Sequence, residues 1–169
     1  HEDPETCVPW VAGKYSDDVG MTAGLDCDPG HGSDEGATEC TECEAGQASG
    51  GGEACTACSA GTFAADAGAS TCDPCESGTF SGESATECEP CEAGHVSGDE
   101  ASECEPCLAG TYADTDTWLC AECEDGTISG EAATECEPCA SGEVSNEGRT
   151  ACETVAIEGG GGTLLAAEE

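Results

Sequence analysis

The sequence predicts a small disulfide-rich fold, an elongated array of tandem β-hairpin cysteine repeats with little helix and no large core. The chain has 17 cysteines in 169 residues, a proportion typical of disulfide scaffolds. It has only 2 Phe, 2 Tyr, 2 Trp and 1 Met, so covalent bridges must supply the stability that so small an apolar core cannot. The cysteines also recur with a fixed period, which indicates stacked repeats rather than one globular domain.

The repeat is defined by Cys-x-x-Cys, which occurs seven times with a period of about sixteen residues. The second cysteine is followed three residues later by a glycine, then by an aromatic or aliphatic residue two positions on, then by a small residue. The glycine permits a positive-φ turn, and in most repeats the next apolar residue is aromatic or β-branched and begins a short strand. Each repeat is therefore expected to be a small hairpin that covers a disulfide and stacks on its neighbours.

The repeats divide the chain into three segments. Residues 1–26 resemble a degenerate first repeat that caps the array, because Gly24 stands where a cysteine is expected. Residues 27–152 hold the tandem repeats, and residues 153–169 form a tail with a four-glycine linker. The tail's candidate assembly contacts, by strand addition to or docking on a neighbouring copy, are the apolar residues Val155, Ile157, Leu164 and Leu165.

The order of the cysteines, seven Cys-x-x-Cys pairs with the single Cys27 before them and the single Cys152 after them, favours a sequential pairing. In this pairing the second cysteine of each motif bonds the first cysteine of the next. Each of the eight bridges then closes a loop of about 13 residues, which stabilises by roughly 3 kcal/mol through the unfolded chain. Crossed pairing between alternate repeats stays open, because sequence does not fix connectivity. The sequential bridges are Cys27–Cys40, Cys43–Cys55, Cys58–Cys72, Cys75–Cys88, Cys91–Cys104, Cys107–Cys120, Cys123–Cys136 and Cys139–Cys152.

One cysteine, Cys7, is left over by this scheme. An odd cysteine in a disulfide-rich chain indicates an intermolecular bridge, a partner outside the sequence, or an unpaired thiol. The other cysteines need an oxidising environment to form their bridges, so we expect an extracellular or cell-surface location.

The charge is strongly acidic, with 38 Asp and Glu against 2 Lys and Arg, a net charge of −36. Nucleic acid and anionic membrane surfaces repel such a chain and are excluded as partners. No apolar run is long enough to span a bilayer. The carboxylates either maintain solubility or bind Ca²⁺ between neighbouring molecules; we expect no required cofactor.

We expect no enzyme activity and no catalytic residues. Paired Cys-x-x-Cys motifs have zinc-ligand spacing, but two motifs per ion leave one of the seven over. A thioredoxin-like site needs the motif at a helix start, and no buried pocket is foreseeable that would tune a carboxylate pair. Hydroxyls close to the expected hairpin tips are either plain turn formers or candidate O-glycosylation sites; these are Ser81, Ser97, Thr111 and Ser129.

Two stretches carry a family resemblance, Cys72–Ser81 and Cys107–Ala113, with Gly78-Thr79-Phe80-Ser81 in the first. They resemble the ephrin-receptor-like cysteine-rich repeat, whose pattern runs Cys-x-x-Cys-x-x-Gly-Thr-Tyr/Phe-Ser. The likeness covers roughly residues 27–152 and extends to parts of tumour-necrosis-factor-receptor and EGF-like modules. It implies an extended extracellular disulfide ladder without catalytic activity.

Two functions fit these observations. The first is a structural protomer of an extracellular filament or surface appendage, which self-associates head to tail through its N-terminal cap and C-terminal tail. The alternative is a ligand-binding or adhesive ectodomain fragment of a receptor-like surface protein. Concentration-dependent fibres would favour the first, and a monomer with a saturable ligand would favour the second.

Overall fold

The computed structural model describes residues 9–17 and 23–155, where every regular element is a short β-strand. The strands form antiparallel hairpins, each made of two strands consecutive in the sequence, so the predicted fold class is confirmed. No helix in this part of the chain is long and apolar enough to cross a membrane. The strands are β1 (Lys14–Tyr15), β2 (Leu25–Asp26), β3 (His31–Gly32), β4 (Thr41–Glu42), β5 (Gln47–Ala48), β6 (Thr56–Ala57), β7 (Thr62–Phe63), β8 (Asp73–Pro74), β9 (Thr79–Phe80), β10 (Glu89–Pro90), β11 (His95–Val96), β12 (Glu105–Pro106), β13 (Thr111–Asp114), β14 (Leu119–Glu122), β15 (Thr127–Ile128), β16 (Glu137–Pro138), β17 (Glu143–Ser145) and β18 (Cys152–Thr154).

Each hairpin belongs to a unit that begins at the second cysteine position of one motif and ends before the second cysteine position of the next. In the described residues there are nine such units. They are unit 1 (10–26, described at 10–17 and 23–26), unit 2 (27–42), unit 3 (43–57), unit 4 (58–74), unit 5 (75–90), unit 6 (91–106), unit 7 (107–122), unit 8 (123–138) and unit 9 (139–154).

One disulfide closes the hairpin of each unit from 2 to 9, and the eight bridges are those of the sequential scheme. The bridges also form the core, because the first cysteine of most units is almost inaccessible to solvent. These cysteines, 0–3% exposed, are Cys27, Cys43, Cys58, Cys75, Cys107 and Cys123.

Three backbone hydrogen bonds join one unit to the next, as units 4 and 5 illustrate. The N–H of Gly61 donates to the carbonyl of Ser81 at 2.9 Å, and the N–H of Ala64 donates to that of Ala85 at 3.1 Å. In return, the N–H of Ser84 in the unit 5 loop donates to the carbonyl of Cys58 at 2.8 Å. All three bonds recur between units 1 and 2, 3 and 4, 5 and 6, and 7 and 8. The stack is therefore a hydrogen-bonded ladder as well as a disulfide ladder.

The turn glycine also brings units two apart into contact. Gly61 has φ +87°, and a Cβ placed on it would lie 2.1 Å from the carbonyl oxygen of Glu100 in unit 6. Gly126 of unit 8 has φ +83° but no atom within 4 Å of the same position, because the described array ends one unit later. Glycine is thus required at Gly61 for its backbone conformation and for close packing.

Unit 1 keeps the ladder without a disulfide. Trp10 stands at the cysteine position, three residues before Gly13, and its carbonyl accepts the N–H of Gly36 at 2.8 Å as a cysteine carbonyl does elsewhere. A Cβ on Gly24 would lie 3.0 Å from the indole of Trp10, so the ring packs where the bridge would be. The leftover Cys7 lies outside the described residues.

Candidate functional site

All three backbone bonds of the ladder are lost at one junction in the described array, between units 6 and 7; the junction of units 2 and 3 keeps two of them, and that of units 8 and 9 keeps one. At the junction of units 6 and 7, the carbonyl of Cys91 and the N–H of Gly94 have no backbone hydrogen-bond partner within residues 9–17 and 23–155. Cys91 is half-buried, although its counterparts in neighbouring units are almost inaccessible; Cys139 in the final unit is half-buried too. Cys91 is therefore as accessible as the cysteine of the final unit, although Gly94 still packs against Ala132 of unit 8.

The longer hairpin of unit 7 causes the break. Strands β13 and β14 pair over four residues each, from Thr111 opposite Glu122 to Asp114 opposite Leu119. The N–H of Trp118 closes the turn by donating to the carbonyl of Asp114 at 2.8 Å. In units 2 to 6 and in unit 8 the equivalent positive-φ residue donates back to the carbonyl at the first-cysteine position of the preceding unit. The loop of unit 7 does not make this bond to unit 6.

The turn itself is organised by the side chain of Asp114. Its carboxylate accepts the N–H of Asp116 at 2.9 Å and the hydroxyl of Thr117 at 3.0 Å. These bonds, the first being the stronger cause, hold the pKa of Asp114 below its usual range, because they favour the charged form. The carboxylate therefore stays ionised beside the break.

A groove of about 420 Å³ opens between the two units, with Cys91, Gly94, Ala113 and Asp114 in its lining. Its polar and aromatic walls also include Glu92, His95, Tyr112 and Trp118. The groove therefore combines unpaired backbone groups, two aromatic side chains and two carboxylates in one place.

The indole of Trp118 extends from this groove across the neighbouring units. Its Cε2 atom is 2.2 Å from where a Cβ on Gly78 of unit 5 would lie, so the ring packs directly on that glycine. The same ring borders two adjoining depressions, one containing Asp99 and Glu100 and the other containing Leu119, which is 64% exposed. Trp118 is thus the centre of a continuous aromatic and acidic surface, the Trp118 surface.

The carboxylates of this surface have no lysine or arginine to pair with. The chain has two such residues, and both are engaged elsewhere: Lys14 pairs with Asp26, and Arg149 pairs with Glu122 and Asp125 at 3.2 and 3.4 Å. The negative potential around Trp118 is therefore uncompensated by the protein's own lysine and arginine side chains.

The predicted tail contacts are mostly outside the described residues. Val155 is 53% exposed, and its N–H donates to the carbonyl of Gly142 at 3.3 Å, so it occupies the next cysteine position of the repeat. Ile157, Leu164 and Leu165 lie outside the described residues, as Cys7 does. Their roles in assembly stay predictions.

The structure corrects the predicted location of three of the four candidate glycosylation hydroxyls. Ser81, Ser97 and Ser129 are only 2%, 7% and 5% exposed, and each hydroxyl donates to a carbonyl of an adjoining unit at 2.7–3.0 Å. They lie at the interface between units rather than at hairpin tips, so the folded chain does not present them to a glycosyltransferase. Thr111 is half-buried, its hydroxyl donates to the carbonyl of Leu108, and its glycosylation stays a prediction.

No group of three or more His, Cys, Asp or Glu side chains in the described ranges has the arrangement of a metal site. Calcium held between neighbouring molecules, as the acidity of the sequence suggests, stays a prediction.

Sequence reasoning missed the Trp118 surface. Unit 7 does carry a signal, because Asp114-Thr115-Asp116-Thr117 replaces the glycine step that follows the small residue in several other repeats. That difference indicates an altered hairpin tip, but it does not reveal that the previous unit loses its hydrogen-bond partners.

A scan against protein-family models finds none that matches the chain, and a search of curated proteins finds no match either. The structure shows a cysteine-rich repeat array of hairpin units about sixteen residues long. The ephrin-receptor-like identity rests on the motif residues alone and stays a prediction.

Proposed function

We propose that the protein is a structural protomer of an extracellular filament or cell-surface appendage. The observation that carries the proposal is the ladder, in which hairpins are closed by disulfides and joined to the next unit by backbone hydrogen bonds. Contacts between units two apart, such as Gly61 with Glu100, oppose bending because they cross a whole intervening unit. A chain built in this way suits a mechanical role.

An extracellular location is supported by the same chemistry. Disulfide cysteines account for most of the buried apolar residues, and a reducing cytosol would leave the bridges open. The net charge of −36 keeps such rods soluble and limits contacts to specific ones.

Head-to-tail assembly is supported by the final unit. The N–H of Gly142 has no partner in the described part of the chain, whereas the equivalent N–H of Gly110 donates to the next unit. A Cβ on Gly142, like one on Gly126, would meet nothing within 4 Å, although the turn glycines of units 1 to 7 are tightly packed. The first unit of another copy, stacked after unit 9, would supply the missing acceptor through Ser16, which stands where Ser33 accepts in unit 2.

A glycine substitution tests this arrangement. Gly142→Ala leaves the protomer folded but places a methyl group where a stacked copy must approach, as it would at Gly94, where a Cβ would lie 1.9 Å from a carbonyl oxygen. We expect sedimentation velocity and electron microscopy to show concentration-dependent filaments for the parent chain and their loss in the variant. Gly98→Ala is the control for an added methyl group away from the array end, because Gly98 also has open space around it.

Non-reducing peptide mapping of native material completes the test. Eight sequential bridges with Cys7 linked to a second chain would support covalent assembly. A chain that remains monomeric at every concentration, with its bridges intact, would overturn the filament proposal.

The second candidate function is a ligand-binding or adhesive ectodomain. The Trp118 surface favours it, because aromatic residues beside a groove are typical of binding sites. Saturable binding by a monomer would support this function, and its absence across protein and glycan ligands would argue against it.

A further inference from the structure

We propose that the groove between units 6 and 7 binds an extended basic segment of a different protein, whose arginine or lysine side chain lies against Trp118 and Tyr112. This site does not depend on filament formation, because all its residues belong to one chain.

The first argument is the open backbone of unit 6. From unit 1 to unit 8, every other junction supplies an N–H to the carbonyl at the first-cysteine position and a carbonyl to the turn glycine, but here Cys91 and Gly94 receive neither from the described chain. Gly94 is buried, and an unpaired backbone group in such a place is unfavourable. An extended peptide carries both an N–H and a carbonyl, the two kinds of group that are missing here, and peptides bind unpaired strand backbone in this way.

The second argument is the aromatic wall. Tyr112 and Trp118 line the groove, and His95 lines it as well. A guanidinium or ammonium group over an indole or phenol ring is attracted by the ring's negative face. Because the indole of Trp118 is packed on Gly78, the ring is held in place before any ligand binds, which lowers the entropy cost of binding.

The third argument is charge. Glu92 and Asp114 line the groove, and Asp99 and Glu100 lie in the adjoining depression that the same indole borders. These carboxylates complement a cationic occupant and would repel an acidic one.

A second copy of this chain is a poor occupant. Its only two lysine or arginine side chains, Lys14 and Arg149, already pair with carboxylates of their own chain. The basic segment must therefore come from another protein.

The test uses the full oxidised chain and two short peptides, acetyl-Ser-Arg-Gly-Arg-Ser-amide and the same peptide with citrulline in place of each arginine. Citrulline keeps the shape of arginine but is neutral. We expect saturable NMR shifts at the Trp118 indole N–H and the Gly94 amide with the arginine peptide, and binding about tenfold weaker with the citrulline peptide, as the loss of a cation–aromatic contact and an ion pair implies.

Three variants separate the groove from general electrostatic attraction. Trp118→Gly should weaken binding about tenfold and remain folded, because Trp118 has φ +52° and glycine holds the equivalent place in units 2 to 4. Asp114→Asn should weaken binding about threefold. Asp116→Asn is the matched control, since it makes the same charge change in the same hairpin without touching the groove, and should change binding less than about twofold.

Equal weakening by Asp114→Asn and Asp116→Asn, or unchanged binding in Trp118→Gly, would overturn the proposal by showing diffuse attraction. A neutral oligosaccharide that shifts Trp118 when the arginine peptide does not would also overturn it, in favour of a glycan site.

Discussion

Replacement of Gly61 by alanine tests whether the array is packed over a range of two units. The new methyl group would lie 2.1 Å from the carbonyl oxygen of Glu100 and 2.5 Å from its carbon, so the backbone of unit 4 or unit 6 must move. The left-handed conformation of the residue costs about 1–2 kcal/mol for any residue with a Cβ, and overpacking adds roughly 1–3 kcal/mol. The Gly61→Ala variant should therefore lose about 2–5 kcal/mol of stability.

Gly126→Ala provides the matched control, because Gly126 has nearly the same φ but no atom within 4 Å of the added methyl group. It should lose only the conformational part, about 1–2 kcal/mol. Amide hydrogen exchange on the oxidised protein measures the opening free energy of each unit. The Gly61 variant should lose protection in units 4, 5 and 6 together. Equal losses in the two variants would refute the packing between units 4 and 6.

Three further predictions concern single side chains. Ser81→Ala removes the hydroxyl that donates to unit 4 and should cost about 1 kcal/mol, seen as faster exchange of the Gly61 amide; unchanged exchange would contradict it. Ala132 has a φ of +54°, which glycine adopts without strain, so Ala132→Gly should raise the free energy of unfolding by about 1 kcal/mol and with it the denaturation midpoint. Ala133→Gly, in the same loop, should lower the midpoint. The pKa of Asp114 is lowered on folding, so its stabilisation of the turn is present above the unfolded pKa of about 4 and is lost as pH falls through the folded value. Trp118 fluorescence should report this transition, and Asp114→Asn should abolish it.

The periodic cysteines predicted the architecture, although they left crossed pairing of the bridges open. Their regular spacing leaves sequential bridges as the simplest pairing, and the structure contains these bridges, with sequence separations from 12 to 14. The turn glycines were also predictable, since a repeated glycine three residues after a cysteine indicates a backbone conformation that other residues disfavour. These features are local, so spacing alone predicts them.

The tertiary structure decided how the units fit together. Sequence spacing does not reveal that the serine after the strand donates to the adjoining unit, which is why Ser81 is buried rather than a candidate for glycosylation. It likewise does not reveal that Trp10 packs on Gly24 in place of a disulfide.

The Trp118 surface depends on the same kind of information. Unit 7 has a longer hairpin whose loop makes no bond to unit 6, so the carbonyl of Cys91 and the N–H of Gly94 have no backbone partner in the described chain. The contacts that decide this are made between groups one or two units apart in the stack, which are distant in the chain. Sequence therefore predicted the hairpin and favoured its bridge. Only the packing of neighbouring units determined which surfaces are closed and which are available to a partner.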